Sequence, residues 1–505
     1  LQIQINGLSD VRFHRSIQLI TNLFFEQCQV SFSPIDGKQI VIELQMKTLN
    51  NMLIVYGQLT DLQGKNHFAS IEKTLRDSNS EKEHFKQIKN AVLHVYLTLL
   101  QDSTGIIQKW GILTGVRPTK LLHQKIQAGI NIQKAHHQLQ EEYLISDEKL
   151  QLMERILQRQ HTIVPDLYKL RNEVSIYIGI PFCPTKCAYC TFPAYAINGR
   201  QGSVNSFLGG LHYEMEKVGE WLKEKGIRMT TVYFGGGTPT SITAEEMDRL
   251  YEKMYHSFPY VNEIREITVE AGRPDTITTE KIAVLKKWNI HRISINPQSY
   301  IQDTLKAIGR HHTVEETIDK FHLARKMGMN NINMDLIIGL PGEGINEFAY
   351  TLAETKKLMP ESLTVHTLSF KRASEMTKNK DKYKVASREE VKEMMAMAEL
   401  WTKDNGYVPY YLYRQKNILG NLENVGYSLP GQESIYNIMI MEELQTIIGL
   451  GCGASSKFIH PQTGEITQLA NPKDPKSYYE SYKTYTEKKI TILNQLFRKE
   501  NTLAN

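Results

Sequence analysis

SIYIGIPFCPTKCAYCTFPAY, residues Ser175 to Tyr195, holds three of the chain's five cysteines, Cys183, Cys187 and Cys190, directly behind a strand-like apolar run. Thiolates separated by three and then two residues, in a loop that Pro184 restrains, can converge on one inorganic centre, and that spacing suits iron and sulfide. A four-iron cluster has four corners. Three protein thiolates therefore leave one iron open to an outside ligand, which a catalytic cluster needs and a plain electron carrier does not. A structural zinc site would want a fourth ligand, and Thr191 to Gly199 contains neither Cys nor His. Three buried, unligated cysteines are the other plain reading, and the spacing behind a strand speaks against it.

Outward from this stretch, 505 residues suffice for a large core and two or three domains. Lys plus Arg number 60 against 55 Asp plus Glu, a net charge of +5. Over this length that excess does not argue for nucleic acid or a membrane surface, although it suits an anionic substrate. With three cysteines committed, only Cys28 and Cys452 remain, so a disulfide framework is not expected. No apolar run approaches the roughly 20 residues of a bilayer span. The first residues, LQIQINGLSDVRFHR, lack the charged front and apolar middle of a secretory signal. The expected compartment is the cytoplasm.

Residues 1–165 read as an N-terminal α+β domain with a helical connector: strand-like Leu1 to Ile5, Gln39 to Leu44 and Met52 to Gly57, then helix from about Ser80. His136, His137 and His161 lie in a polar helical stretch, where histidines are usually solvated. Residues 166–400 alternate short apolar runs with amphipathic helices. The runs are Ile176 to Ile180, Thr231 to Phe234, Glu266 to Glu270, Arg292 to Ile295, Asn331 to Ile338 and Leu363 to Leu368. Six such strands imply a parallel sheet that right-handed crossovers curl toward a barrel. Ligands gather at the C-terminal strand ends of such sheets, where the conspicuous motifs fall. Residues 401–505, with the Gly-rich Gly449 to Ala454, read as a C-terminal capping domain.

CxxxCxYC after a strand and ahead of GGGTPT resembles the radical SAM superfamily. YIGIPFCPTKCAYC, YFGGGTPT, ITVEAGRPDT, HRISINPQS, IGRHH and NMDLIIGLPGE come in the order and approximate spacing of the oxygen-independent coproporphyrinogen III dehydrogenase family, and the chain is most similar to its HemZ branch. The resemblance runs from about Ser175 to Phe370 and weakens beyond. It implies an α/β fold, a six-stranded partial (β/α) barrel, holding a [4Fe-4S] cluster on Cys183, Cys187 and Cys190. It also implies S-adenosyl-L-methionine (SAM), two molecules per chain. The first SAM falls to positions resembling Tyr177, Gly236 and Glu270. The second falls to positions resembling Tyr189, Gly237, Thr238, Gln298, Arg310, Asp335 and Ser369. Side-chain-free backbone at Gly235 to Gly237 lets main-chain groups approach SAM, Glu270 suits its ammonium, and Arg310 can clamp a carboxylate bidentately. Arg310 and Asp335 can also simply pair with each other.

The implied reaction is oxidative decarboxylation of coproporphyrinogen III to protoporphyrinogen IX, fed by an electron donor such as a flavodoxin or ferredoxin. Lys371, Arg372 and Arg414 are candidate partners for the tetrapyrrole's carboxylates. The pattern departs from the family in places. Phe192 stands where characterised dehydrogenases have a fourth cysteine, and Tyr189 replaces their Phe, as in the related heme chaperones. The chaperones' HNxxYW signature is absent, with Tyr436 to Met441 in its place. A heme chaperone, or a radical SAM enzyme on another substrate, is the alternative reading.

Overall fold

The structure, a computed structural model, describes all residues except 26, 27, 36, 38, 77–79, 115, 116, 193, 197–203, 371–373, 416, 417 and 499–505. It divides into two compact units, Leu1–Arg155 with Arg414–Lys416, and Ile156–Tyr413 with Asn417–Asn505.

The first unit is α+β. Its strands β1 (Gln2–Asn6), β2 (Gln29–Ser31), β3 (Ile40–Leu49), β4 (Met52–Thr60) and β5 (Asn66–Thr74) form one sheet in the order β2-β1-β3-β4-β5. Asn50 and Asn51 both take positive φ (48° and 64°), the geometry of a tight hairpin whose twist matches its strands, and so β3 turns directly into β4. The helix Glu81–Thr104 lies so close to β4 that a Cβ on Gly57 would stand 2.6 Å from Val95 and 2.8 Å from Leu99. Ile42, Leu44, Leu53, Val55 and Leu59 bury the face beneath it. Strands β2 and β5 and the helix His14–Phe24 escape the sequence reading; β5, NHFASIEKT, alternates too weakly to stand out.

The second unit is α/β and contains the six expected strands. They are β6 (Val174–Ile180), then, past the short pair β7 (Phe182–Cys183) and β8 (Tyr195–Ala196), β9 (Met229–Gly236), β10 (Glu266–Glu270), β11 (Arg292–Ser294), β12 (Ile332–Ile338) and β13 (Ser362–Thr367). They lie parallel in that order. Both faces are covered, so β6 reads as VSIYIGI with six of its seven residues buried. Helix caps mark the crossovers: Thr243 with Glu246 and Ser387 with Glu390 form reciprocal capping boxes, and Thr278 and Thr313 cap the helices they precede.

The sheet also extends beyond the expected six strands. β14 (Val408–Tyr413) and β15 (Asn424–Ser428) add antiparallel to β13. β16 (Thr446–Gly451) adds parallel to β6, and β17 (Ser455–Ile459) and β18 (Ile466–Ala470) follow it. Among the described residues the result is eleven strands with β14 and β18 at the edges. The Gly-rich segment expected in a cap is thus a strand beside β6, the strand that leads into the cysteine loop. Its glycines permit that approach, since a Cβ on Gly451 would meet the Gly179 carbonyl at 2.3 Å. A buried network fixes this edge. Lys489, on the helix Pro475–Leu496, donates to Glu214 (2.6 Å) and to the Gly449 carbonyl (2.6 Å). Tyr478 and the Gly451 amide also donate to Glu214.

Candidate functional site

The cysteine loop leaves β6 through β7 and is pinned from three sides. Thr185 donates to the Gly309 carbonyl (2.9 Å) and Ala188 to that of Ile308 (3.0 Å). Arg273, itself paired with Asp275 at 3.0 Å, donates to the Thr185 carbonyl and hydroxyl (3.2 and 3.0 Å). Met376 donates to the Ala188 carbonyl (3.0 Å). Arg273 is a site residue that sequence reasoning missed; its only signal was a charged residue inside the strand-end motif AGRPDT.

All three cysteines lie outside any disulfide and are half-buried. Burial pushes the Cys183 thiol up to about 11, Thr238 opposing at 3.3 Å and the thiols of Cys187 and Cys190 adding to the rise. The thiols of Cys187 and Cys190 are thus close enough to act on Cys183, and thiols become thiolates when a cation such as cluster iron neutralises them. Among the described residues, no three His, Cys, Asp or Glu side chains converge as the ligands of a single metal ion do. Ligands of a four-iron cluster sit on separate irons and need no such convergence. The donor set therefore fits a cluster.

The glycine stretch lies against this loop. Gly237 donates to the Ile180 carbonyl and Thr238 to that of Phe182, each at 2.7 Å, so both amides serve to hold the cysteine loop. A Cβ on Gly237 would stand 2.5 Å from the Phe182 oxygen, and Gly236 has φ of 107°, a value that favours glycine.

Glu270 ends β10 and accepts a hydrogen bond from the Tyr233 hydroxyl at 2.6 Å. Burial pushes its carboxyl up to about 7; Tyr233 opposes the rise and Asp335 adds to it. Tyr177, Tyr233 and Tyr436 stack beside it, Tyr233 and Tyr436 with ring centres 4.3 Å apart. Tyr436 comes from the helix Ile435–Glu442, whose N-terminus Glu266 holds through Ser434 and Ile435 (2.8 Å each). The Tyr436 hydroxyl is buried without a partner.

A second polar cluster sits past the end of β11 and alongside β12. Gln298 takes φ of 67°, a left-handed conformation that costs a non-glycine residue on the order of 1 to 3 kcal/mol. Backbone bonds enforce it: the Gln298 amide donates to the Asp335 carbonyl (2.9 Å) and the Ile337 amide to that of Gln298 (3.0 Å). Arg310 does not pair with Asp335. It donates to the Asn296 carbonyl (2.6 Å), and although burial weighs against its charge, the neighbouring Tyr189 and Cys187 keep it protonated. Asp335 faces His366 at 3.4 Å and accepts from Asn333 (2.8 Å). Burial raises its pKa, yet these partners bring it below the usual carboxylate range. Ser294 Oγ, Asn296 Oδ1, Gln298 Oε1 and Arg310 Nε are buried here with no hydrogen-bond partner. Several unanswered polar atoms in one place indicate a ligand, since each costs about 1 to 3 kcal/mol when left alone. Ser369, at the end of β13, is buried and bridges Ile418.

Other sequence candidates fall elsewhere. Arg414 is buried in the first unit, donating to the Leu113 carbonyl with its guanidinium over Trp110. It is not the substrate partner expected, because the Trp110 segment engages its guanidinium. Lys371 and Arg372 lie outside the described residues. His136 and His137 face Glu154 and Glu141.

Residues 177–354 match the Radical SAM superfamily. The oxygen-independent coproporphyrinogen-III oxidase-like protein HemZ of Bacillus subtilis (strain 168) is 66% identical over 499 residues, 99% of each chain. The chain belongs to the HemZ family of radical SAM enzymes. Heme chaperone HemW of the same organism is 33% identical over 194 residues, 38% of this chain and 50% of HemW. The solved coproporphyrinogen III oxidase HemN from Escherichia coli, a radical SAM enzyme, superposes with a TM-score of 0.50 at 21% identity. That match covers 63% of this chain and 70% of HemN, and it supports the α/β radical SAM fold. This HemZ family member is an oxidoreductase of a class that uses a [4Fe-4S] cluster and SAM. None of its described helices is long and apolar enough to cross a membrane.

Proposed function

We propose that this HemZ family member decarboxylates coproporphyrinogen III oxidatively to protoporphyrinogen IX without oxygen, converting two propionate side chains to vinyl groups. The observation that carries this reading is a pair of neighbouring polar clusters, one around Glu270 and one around Gln298, Arg310 and Asp335, close enough that Asp335 acts on Glu270. Two clusters suit two SAM molecules, which suits chemistry on two propionates. In this reading Cys183, Cys187 and Cys190 hold the cluster. Tyr177, Gly236 and Glu270 hold the first SAM; Tyr189, Gly237, Thr238, Gln298, Arg310, Asp335 and Ser369 hold the second. Cluster and SAM, when bound, supply the one-electron chemistry that removes hydrogen from a propionate.

The chain's own residues bind and orient. Glu270 meets an ammonium only as a carboxylate, and the Tyr233 hydroxyl favours that form. Arg310 offers Nε to a carboxylate, with its plane fixed by the Asn296 carbonyl. Asp335, held ionised by His366, takes an ammonium or a ribose hydroxyl. Arg310 is buried and Glu270 and Asp335 are half-buried, which limits water around them and strengthens each contact.

The proposed partners are a four-carboxylate tetrapyrrole and an electron donor such as a flavodoxin or ferredoxin, and the proposed compartment is the cytoplasm. Anaerobic turnover with reconstituted protein, SAM, a reductant and coproporphyrinogen III tests the reading, with carbon dioxide and vinyl product expected. A stoichiometry of one SAM per chain, tight heme binding and no carbon dioxide would overturn it in favour of a heme chaperone like HemW.

A further inference from the structure

The first unit contains a cavity of about 390 Å³, walled by the end of β5 and by helices Glu81–Thr104, Pro118–Gln127 and Ile132–Tyr143. That volume lies in the range of small-molecule sites. Leu121, Ile130 and Leu139 supply an apolar wall. Lys73, Arg76, Lys86 and Lys125 supply four cations, and the only carboxylates among the described lining residues are Glu83 and Glu142.

These two acids do not saturate the cations. Glu142 is shared between Arg76 at 3.4 Å and Lys125 at 3.5 Å, both longer than the 2.7–2.9 Å of a well-formed charge-assisted bond. The short bond of Lys125 goes to a neutral group, the Gln138 amide oxygen, at 2.9 Å. Glu83 is half exposed and pairs with Lys86 at 3.2 Å. Glu141, the next acid nearby, faces His137 at 3.1 Å. Lys73, on β5, is half-buried among these cations. Burial pulls its ammonium below the ordinary range, Glu142 opposing and Arg76 adding to the pull. The Gln87 side chain accepts from the Arg76 amide (2.8 Å) and donates to the Arg76 carbonyl (3.0 Å), so this edge of the cavity is fixed.

We propose that this cavity is a binding site for a small organic polyanion, a molecule with two or more phosphate or carboxylate charges on a compact apolar body. Such a ligand would neutralise the positive excess of the described lining residues and set its body on the Leu121, Ile130 and Leu139 wall. The inference is independent of the decarboxylation reading, because no residue of the cysteine or strand-end clusters takes part.

Isothermal titration of the full chain with inorganic pyrophosphate and, separately, with citrate tests it. Saturable one-to-one binding of at least one probe is expected. Preference for pyrophosphate would assign a phosphate ligand, and preference for citrate a polycarboxylate. The Lys73→Gln, Lys125→Gln double variant should bind at least tenfold more weakly. Arg76→Gln, at a largely exposed side chain that can be removed without disturbing packing, should weaken binding severalfold. Absence of saturable binding to either probe, or wild-type affinity in Arg76→Gln, would overturn the proposal.

Discussion

Beside Glu270 one fully buried polar atom of the described residues lacks a partner, whereas around Gln298 and Arg310 four do. The Glu270 carboxyl is bonded by Tyr233 and sits beside a tyrosine stack in which the buried Tyr436 hydroxyl lacks a partner. At the second cluster the backbone is locked, with Gln298 held left-handed by two ladder bonds, while its side-chain atoms wait. The charges differ as well. Glu270 is pushed up to about 7 by burial, and Asp335 is held ionised by His366 despite burial. The first cluster changes its own charge when a cation arrives; the second is charged in advance and lacks only its ligand's hydrogen bonds. The same physics of burial gives opposite results because one carboxyl has a phenol for a partner and the other an imidazole and an amide.

The largest expected effect abolishes the comparison. Cys183→Ala, Cys187→Ala or Cys190→Ala removes a thiolate from a cluster that has only three, so each variant should lose SAM cleavage, measured as 5′-deoxyadenosine released anaerobically. Full release by any one of them would break the assignment of the cluster to this loop.

Arg310→Ala separates the two clusters. It removes a charge-assisted contact worth on the order of 1.5–3 kcal/mol, roughly a ten- to hundredfold loss of affinity. The variant should bind one SAM where wild type binds two, retain substrate-free SAM cleavage and lose vinyl formation. Equal stoichiometry in variant and wild type would merge the two clusters into one site.

Much of this arrangement was legible in the residues, and what was hidden has a common cause. The six parallel strands stood out because sheets covered on both faces are written as continuous apolar runs, and the cysteine spacing and glycine triplet are local in sequence. Tyr233 and Tyr436 lie about two hundred positions apart, and no local pattern announces that their rings stack. β16 was hidden because Gly449 and Gly451, needed for close approach to β6, read as loop residues. Arg273 was hidden because its task is to hold Thr185, a contact that only the folded turn creates. Arg414, a cation in a substrate-facing position by sequence, is instead committed to Leu113 and Trp110.

The smallest effect sharpens the comparison most, because it concerns the charge of Glu270 alone. Its folded pKa, about 7, lies above the ordinary Glu value near 4.3, so the ligand-free folded chain binds more protons at this site than the unfolded chain. Its contribution to stability is therefore present below about pH 4.3 and lost as pH rises through about 7. SAM affinity should run the other way, since an ammonium needs the carboxylate: between pH 6 and 8 it should rise about tenfold, and Glu270→Gln should flatten the profile. Tyr233→Phe tests the cause. Removing the 2.6 Å bond that favours the carboxylate should move the midpoint of the profile upward. Affinity at pH 7 should fall by roughly two- to tenfold, the range of one hydrogen bond of about 0.5–1.5 kcal/mol. Arg310→Ala should leave that midpoint where it is, because Asp335 and Arg310 carry their charges across this whole pH range. If Tyr233→Phe leaves the midpoint in place while Arg310→Ala moves it, the titrating group belongs to the second cluster and the roles of the two would have to be exchanged.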